Sequence, residues 1–100
     1  MKIIITTYPN KPRALKNFIL KILKANLAKC VNKLNYVKSY YWWEGKIQKS
    51  QEQILLIKTN DEKLEKLKEF LEKNHPYDTP EIIVLTPEEV NKSYLSWINS

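Results

Sequence analysis

Gly45 is the only glycine among 100 residues, and it directly follows Tyr40-Tyr41-Trp42-Trp43-Glu44. Aromatic side chains suit the pleated, half-buried surface of a strand. Glycine takes a positive φ without steric cost, so Glu44-Gly45 between two strand-like runs predicts a tight hairpin turn. The turn sets a register in which Trp43 faces Lys46, Trp42 faces Ile47, and Leu34 meets Leu55 unless a bulge intervenes. The two arms, Cys30 to Trp43 and Ile47 to Thr59, each exceed the ~5–6 residues of an ordinary strand. Part of each arm must therefore project beyond the core. Rings concentrated on a projecting tip need a surface to cover them, which points to an assembly before any chemistry.

The rest of the chain supplies what the hairpin packs against. Ile3 to Thr7 is an apolar, β-branched run closed by Pro9, which predicts a buried first strand. Pro12 suits the first turn of a helix. Leu15, Phe18, Ile19, Ile22 and Leu23 follow at helical spacing, giving an amphipathic helix over 12–27. Ile54-Leu55-Leu56-Ile57 is apolar at every position, as in a central strand covered on both faces. Asn60 or Asp61 caps a second helix over 61–73, which His75-Pro76 terminates. Glu81 to Leu85 is a fourth strand, and Pro87-Glu88-Glu89 opens a short last helix. The order is strand, helix, strand, strand, helix, strand, helix. This is an α+β arrangement, the ferredoxin-like split βαβ, with an antiparallel sheet and both main helices on one face. Residues 1–100 form a single domain.

Charge and cysteine usage narrow the partners. Residues 1–50 hold eleven Lys/Arg and one acid, a net +10, whereas residues 51–100 hold six Lys and ten acids, a net −4. Sixteen of the seventeen cations are lysines, spread singly along the elements. Nucleic-acid recognition normally adds arginine clusters and base-stacking aromatics within a known module, so nucleic acid is not an expected partner. Ile3-Ile4-Ile5 is too short for the apolar region of a secretory signal. No apolar run approaches the ~20 residues that span a bilayer. Cys30 has no disulfide partner in the chain. The expectation is a cytoplasmic protein that makes no use of a membrane.

Few residues carry chemistry. Cys30 and His75 are the only Cys and His, and a closed zinc site needs four such ligands. A site completed by carboxylates, or across subunits, stays open, and Cu(II) suits imidazole with oxygen ligands. Asp78 and Glu81 lie near His75 in sequence. The competing roles are structural: a small buried thiol for Cys30, and a helix C-terminal imidazole for His75. One glycine excludes a glycine-rich phosphate loop. An acylphosphatase-like enzyme would need an arginine in a glycine-containing loop after the first strand, and Thr6-Thr7-Tyr8-Pro9-Asn10 lacks both. The RNA-recognition pattern is also missing, since Tyr40/Trp42 and Tyr41/Trp43 point to opposite faces. No catalytic residue is assigned. Trp42 and Trp43 are expected to pack at an interface. Alternatively they line a small-ligand cleft with Glu44, Lys46 and Lys58 as its polar groups.

Several strings together resemble a known family. Thr6-Thr7-Tyr8-Pro9, Tyr41-Trp42-Trp43-Glu44-Gly45-Lys46-Ile47, Leu56-Ile57-Lys58-Thr59, His75-Pro76-Tyr77-Asp78-Thr79-Pro80-Glu81-Ile82 and Tyr94-Leu95-Ser96-Trp97-Ile98 are similar, in order, to the divalent-cation tolerance proteins called CutA. The resemblance runs from the first strand to the last helix. It implies a ferredoxin-like subunit in a tight homotrimer of PII-like architecture, a link to copper and other divalent cations, and no enzymatic activity or organic cofactor. His75 and Cys30 are the residues it offers as metal ligands, with Glu81 and Tyr77 beside them. Thr6 and Thr7 stand where some members carry a cysteine. The expected function is cation or cation-linked ligand binding at clefts between subunits. The alternative is a PII-like signalling trimer that senses a small anionic metabolite.

Overall fold

The structure, a computed structural model, describes all 100 residues. Its elements are β1 (Lys2–Pro9), α1 (Pro12–Lys24), β2 (Cys30–Trp43), β3 (Lys46–Thr59), α2 (Leu64–Asn74), β4 (Ile83–Leu85) and α3 (Lys92–Asn99). The sheet order is β2-β3-β1-β4, and every neighbouring pair is antiparallel. This is the ferredoxin-like α+β arrangement that the element order predicts.

Alternation along the central strands builds the core. Ile4 and Tyr8 of β1, with Leu55 and Ile57 of β3, point to one face and are buried. The apolar stripes of α1 (Leu15, Phe18, Ile22) and α2 (Leu67, Leu71) close over them in one cluster. Side chains of the opposite parity, Ile3, Ile5, Ile54 and Leu56, are only half-buried. The sheet thus has one helix-covered face and one largely open face. α3 meets the open face at the end of β3, where the Lys58 ammonium stands 5.4 Å from the Tyr94 ring centroid.

The hairpin register agrees with the sequence at the tip. Trp43 pairs with Lys46 and Trp42 with Ile47, and Gly45 has φ +74°. Further down, Leu34 pairs with Ile54 rather than Leu55, because a bulge lies between Leu34 and Val37. Asn35 and Tyr36 oppose the single residue Gln53, with Tyr36 at φ +59°. β1 pairs with β3 only as far as Pro9↔Glu52. Residues 38–43 and 46–51 therefore run on as a two-stranded ribbon, which makes the molecule 45 Å long against 28 and 23 Å in the other directions.

Helix and strand ends differ from expectation. α1 stops at Lys24 rather than 27, since Asn26 turns to φ +58° and Leu27 donates its N–H back to the Ile22 carbonyl at 3.1 Å. α2 begins at Leu64, after a turn in which the Asn60 side chain accepts the Lys63 N–H at 3.0 Å. β4 is shorter than predicted and starts at Ile83. α3 starts at Lys92 rather than at Pro87. Glu88 and Glu89 bring no apolar periodicity, and the apolar stripe begins only at Tyr94. No helix is long and apolar enough to cross a membrane.

Candidate functional site

Polar side chains converge where β1 ends and the ribbon begins. Pro76 disfavours helical geometry at the residue before it, so His75 turns extended at ψ 140°. Its ring is thereby tucked under β1, 8% exposed. Tyr8, Phe18 and Tyr77 surround it, with ring centroids 5.6, 6.1 and 5.0 Å away. His75 Nε2 lies 2.6 Å from the Thr7 carbonyl oxygen, and the Tyr77 N–H meets Nδ1 at 3.0 Å. A carbonyl only accepts and a backbone N–H only donates. The ring therefore carries its proton on Nε2 and accepts at Nδ1.

Tyr77 then crosses to the sheet and donates its hydroxyl to Glu52 Oε2 at 2.8 Å. Burial, followed by this bond to the carboxylate, pushes the Tyr77 phenol well above its ordinary value. Glu52 is only 7% exposed, yet no cation within the chain pairs with it. The chain's ion pairs are Met1 with Asp61 and Lys68 with Glu65. On the other face of β3, Gln53 donates to Asn10 Oδ1 at 3.3 Å, while its buried Oε1 has no partner.

The residues named from the sequence are distributed as follows. Cys30 opens β2, half-buried, opposite Lys58. Glu81 is exposed just before β4. His75 is buried with both ring nitrogens bonded. No three His, Cys, Asp or Glu side chains come together in a group that could hold a metal ion. One copy alone thus does not fit a divalent cation, and His75 could ligate only by losing its Tyr77 or Thr7 bond. Glu44 (φ +51°) and Lys46 lie at the hairpin tip with Trp42 and Trp43, whose side chains are 73% and 54% exposed. Lys58 is at the far end of the same strand, so these polar groups do not converge within a subunit. Tyr77 alone of the cleft residues reaches the polar corner. Glu52 and Gln53 were not singled out by the sequence. The available signal was an acid and an amide directly before the apolar run Ile54–Ile57. A cavity of about 730 Å³ lies elsewhere, against Met1, Lys2, Asp61, Thr86, Glu88 and Glu89.

Comparison with known proteins gives a consistent result. A family profile described as CutA1 divalent ion tolerance protein matches residues 2–100. The divalent-cation tolerance protein CutA of Pyrococcus horikoshii is 40% identical over 98 residues, covering 98% of this chain and 94% of that protein. Protein CutA 1, chloroplastic, of rice is 41% identical over 98 residues, and the chain spans only 55% of its length. The crystal structure of CutA1 from Pyrococcus horikoshii superposes with a TM-score of 0.91 at 35% identity, over 99% of this chain and 95% of that one. An Archaeoglobus fulgidus relative, described as a periplasmic divalent cation tolerance protein, superposes with a TM-score of 0.90 at 33% identity, over 99% and 96% of the two chains.

Proposed function

The chain belongs to the CutA1 divalent ion tolerance family, and from that membership we propose that it serves divalent-cation tolerance as a cytoplasmic, non-catalytic homotrimer. A cation such as Cu(II), or a ligand linked to one, is taken up at clefts between the copies.

The observation that carries the trimer is the open sheet face. Ile3, Ile5, Ile54 and Leu56 are half-buried there, and the ribbon beside them exposes Tyr41 and Trp43. A continuous apolar surface of this kind marks an interface. The ribbon tip and the core part of the open face are different patches, so laying one copy's tip on the next copy's core patch is a head-to-tail contact, which closes into a ring when the rotation between copies allows it. The polar donors support uptake between copies. Cys30 and Glu81 belong to no donor cluster within one subunit, so a site that uses them takes further donors from another copy. Calorimetric titration of Cu(II) into the assembled protein tests this. Heat that is lost in Cys30→Ser, Glu81→Gln or His75→Ala supports it, and the absence of heat overturns it.

A second reading has its own observation. His75 already spends both ring nitrogens on Thr7 and Tyr77, and residues 1–50 carry a net +10. These features suit a PII-like signalling trimer that binds a small anionic metabolite. That reading requires no Cu(II) heat, and metabolite binding that disappears in Lys58→Ala.

A further inference from the structure

Register sorts the strand side chains onto two faces, because directly paired residues share a face and successive residues alternate. On the open face β1 contributes Ile3, Ile5, Thr7 and Pro9, and β4 contributes Ile83 and Leu85. Below the bulge β2 adds Cys30, Asn32 and Leu34; beyond it β2 adds Val37, Ser39, Tyr41 and Trp43. None of these is a carboxylate or an ammonium. Among the strand side chains, the charge on that face comes from β3, at Lys46, Glu52 and Lys58.

The three charges have unequal fates. Lys58 is occupied by the face of Tyr94. Glu52 is buried with one hydroxyl donor and no cation. Lys46 is exposed at the tip and makes no ion pair. Six residues of strand separate Glu52 from each lysine, about 20 Å at strand rise, so neither reaches it within a subunit. A buried carboxylate without a counter-charge is costly. Apart from Lys58, the strand side chains of the open face are uncharged except for one acid lacking a base and one base lacking an acid.

We infer that Lys46 of one copy caps Glu52 of the next, so that each cleft holds a Lys46–Glu52–Tyr77 unit shared between two subunits. This rests on the homotrimer proposed above. Lys46 leaves the ribbon on the same side as Trp43, directly paired with it. Laying the tip rings on a neighbour's open face therefore brings the ammonium to that face, with its aliphatic stem along apolar surface. In a ring each copy gives one lysine and receives one at its glutamate, so no charge is left over. Tyr77 orients the carboxylate from within its own subunit.

Light scattering during dilution tests the pairing in the wild type, Lys46→Ala, Glu52→Gln and the double variant. Each single substitution is expected to weaken assembly about 30-fold or more, the loss typical when one partner of a buried charge pair is removed. The double variant is expected to be little worse than either single one. Lys46→Glu with Glu52→Lys assembles, whereas each reversal alone does not. Lys46 touches none of the core, so its truncation leaves the subunit folded. A wild-type trimer indifferent to Lys46→Ala, or additive losses in the double variant, overturns the pairing while leaving the trimer intact. Loss on Glu52→Gln alone likewise overturns it, since the counter-charge is then a bound cation and not Lys46. A wild type that stays monomeric overturns the trimer and the pairing together.

Discussion

Tyr77 joins two otherwise separate features, the imidazole of His75 through its backbone and the carboxylate of Glu52 through its hydroxyl. A hydrogen bond to a buried charged group is worth about 1.5–3 kcal/mol, so Tyr77→Phe is expected to lower stability by about that amount in denaturant unfolding. The phenols of Tyr77 and Tyr8 are both raised, chiefly by burial. An unfolded tyrosine ionises near pH 10, before these do in the fold. The stability they contribute is therefore complete below pH ~10 and falls as pH climbs above it. Tyr77→Phe should flatten that alkaline decline, and an unchanged slope would mean that the phenol is not held as described. His75→Ala removes both acceptor and donor from Tyr77 and Thr7, with an expected cost of about 2 kcal/mol or more. The turn that positions His75 was legible in sequence because Pro76 marks the end of the helix. Glu52 was not, because its burial depends on where β1 stops pairing, a long-range fact that no local pattern carries.

At the scale of elements, the hairpin shows what a sequence can and cannot specify. Gly45 pins the register at the tip, and the pairs from Trp43↔Lys46 onward follow from it. The bulge at Asn35-Tyr36 was open in the sequence, because no glycine marks the positive φ that Tyr36 adopts. It shifts Leu34 from Leu55 to Ile54 and returns Leu34 and Val37 to one face. α3 was placed early because proline and acids signal a helix start in general, while its apolar stripe begins only at Tyr94. Gly45→Ala meets no atom within 4 Å, so its cost is conformational alone, about 1 kcal/mol from the positive φ. Leu55, at 0% exposure, behaves differently. Leu55→Ala should cost about 2–5 kcal/mol through the cavity it leaves, whereas Trp43→Ala should leave subunit folding alone and weaken assembly. Chemical denaturation read beside light scattering separates the two outcomes.

For the whole molecule, the ferredoxin-like sheet carries helices on one face and leaves the other apolar. The ribbon carries rings past the end of the core. Both are surfaces without an internal partner; the ribbon lies almost wholly in the lysine-rich first half of the chain, and the open face draws on both halves. The family connection extends this picture to divalent cations, and Cys30, His75 and Glu81 form no cation site within one subunit, which is why the proposed uptake is assigned to the boundary between copies. The direct test is the mass of the purified protein in dilute solution by light scattering. The account predicts a single species of three times 11.9 kDa with its tip tryptophans shielded from an aqueous quencher. A stable species of 11.9 kDa with those indoles fully quenched would contradict it.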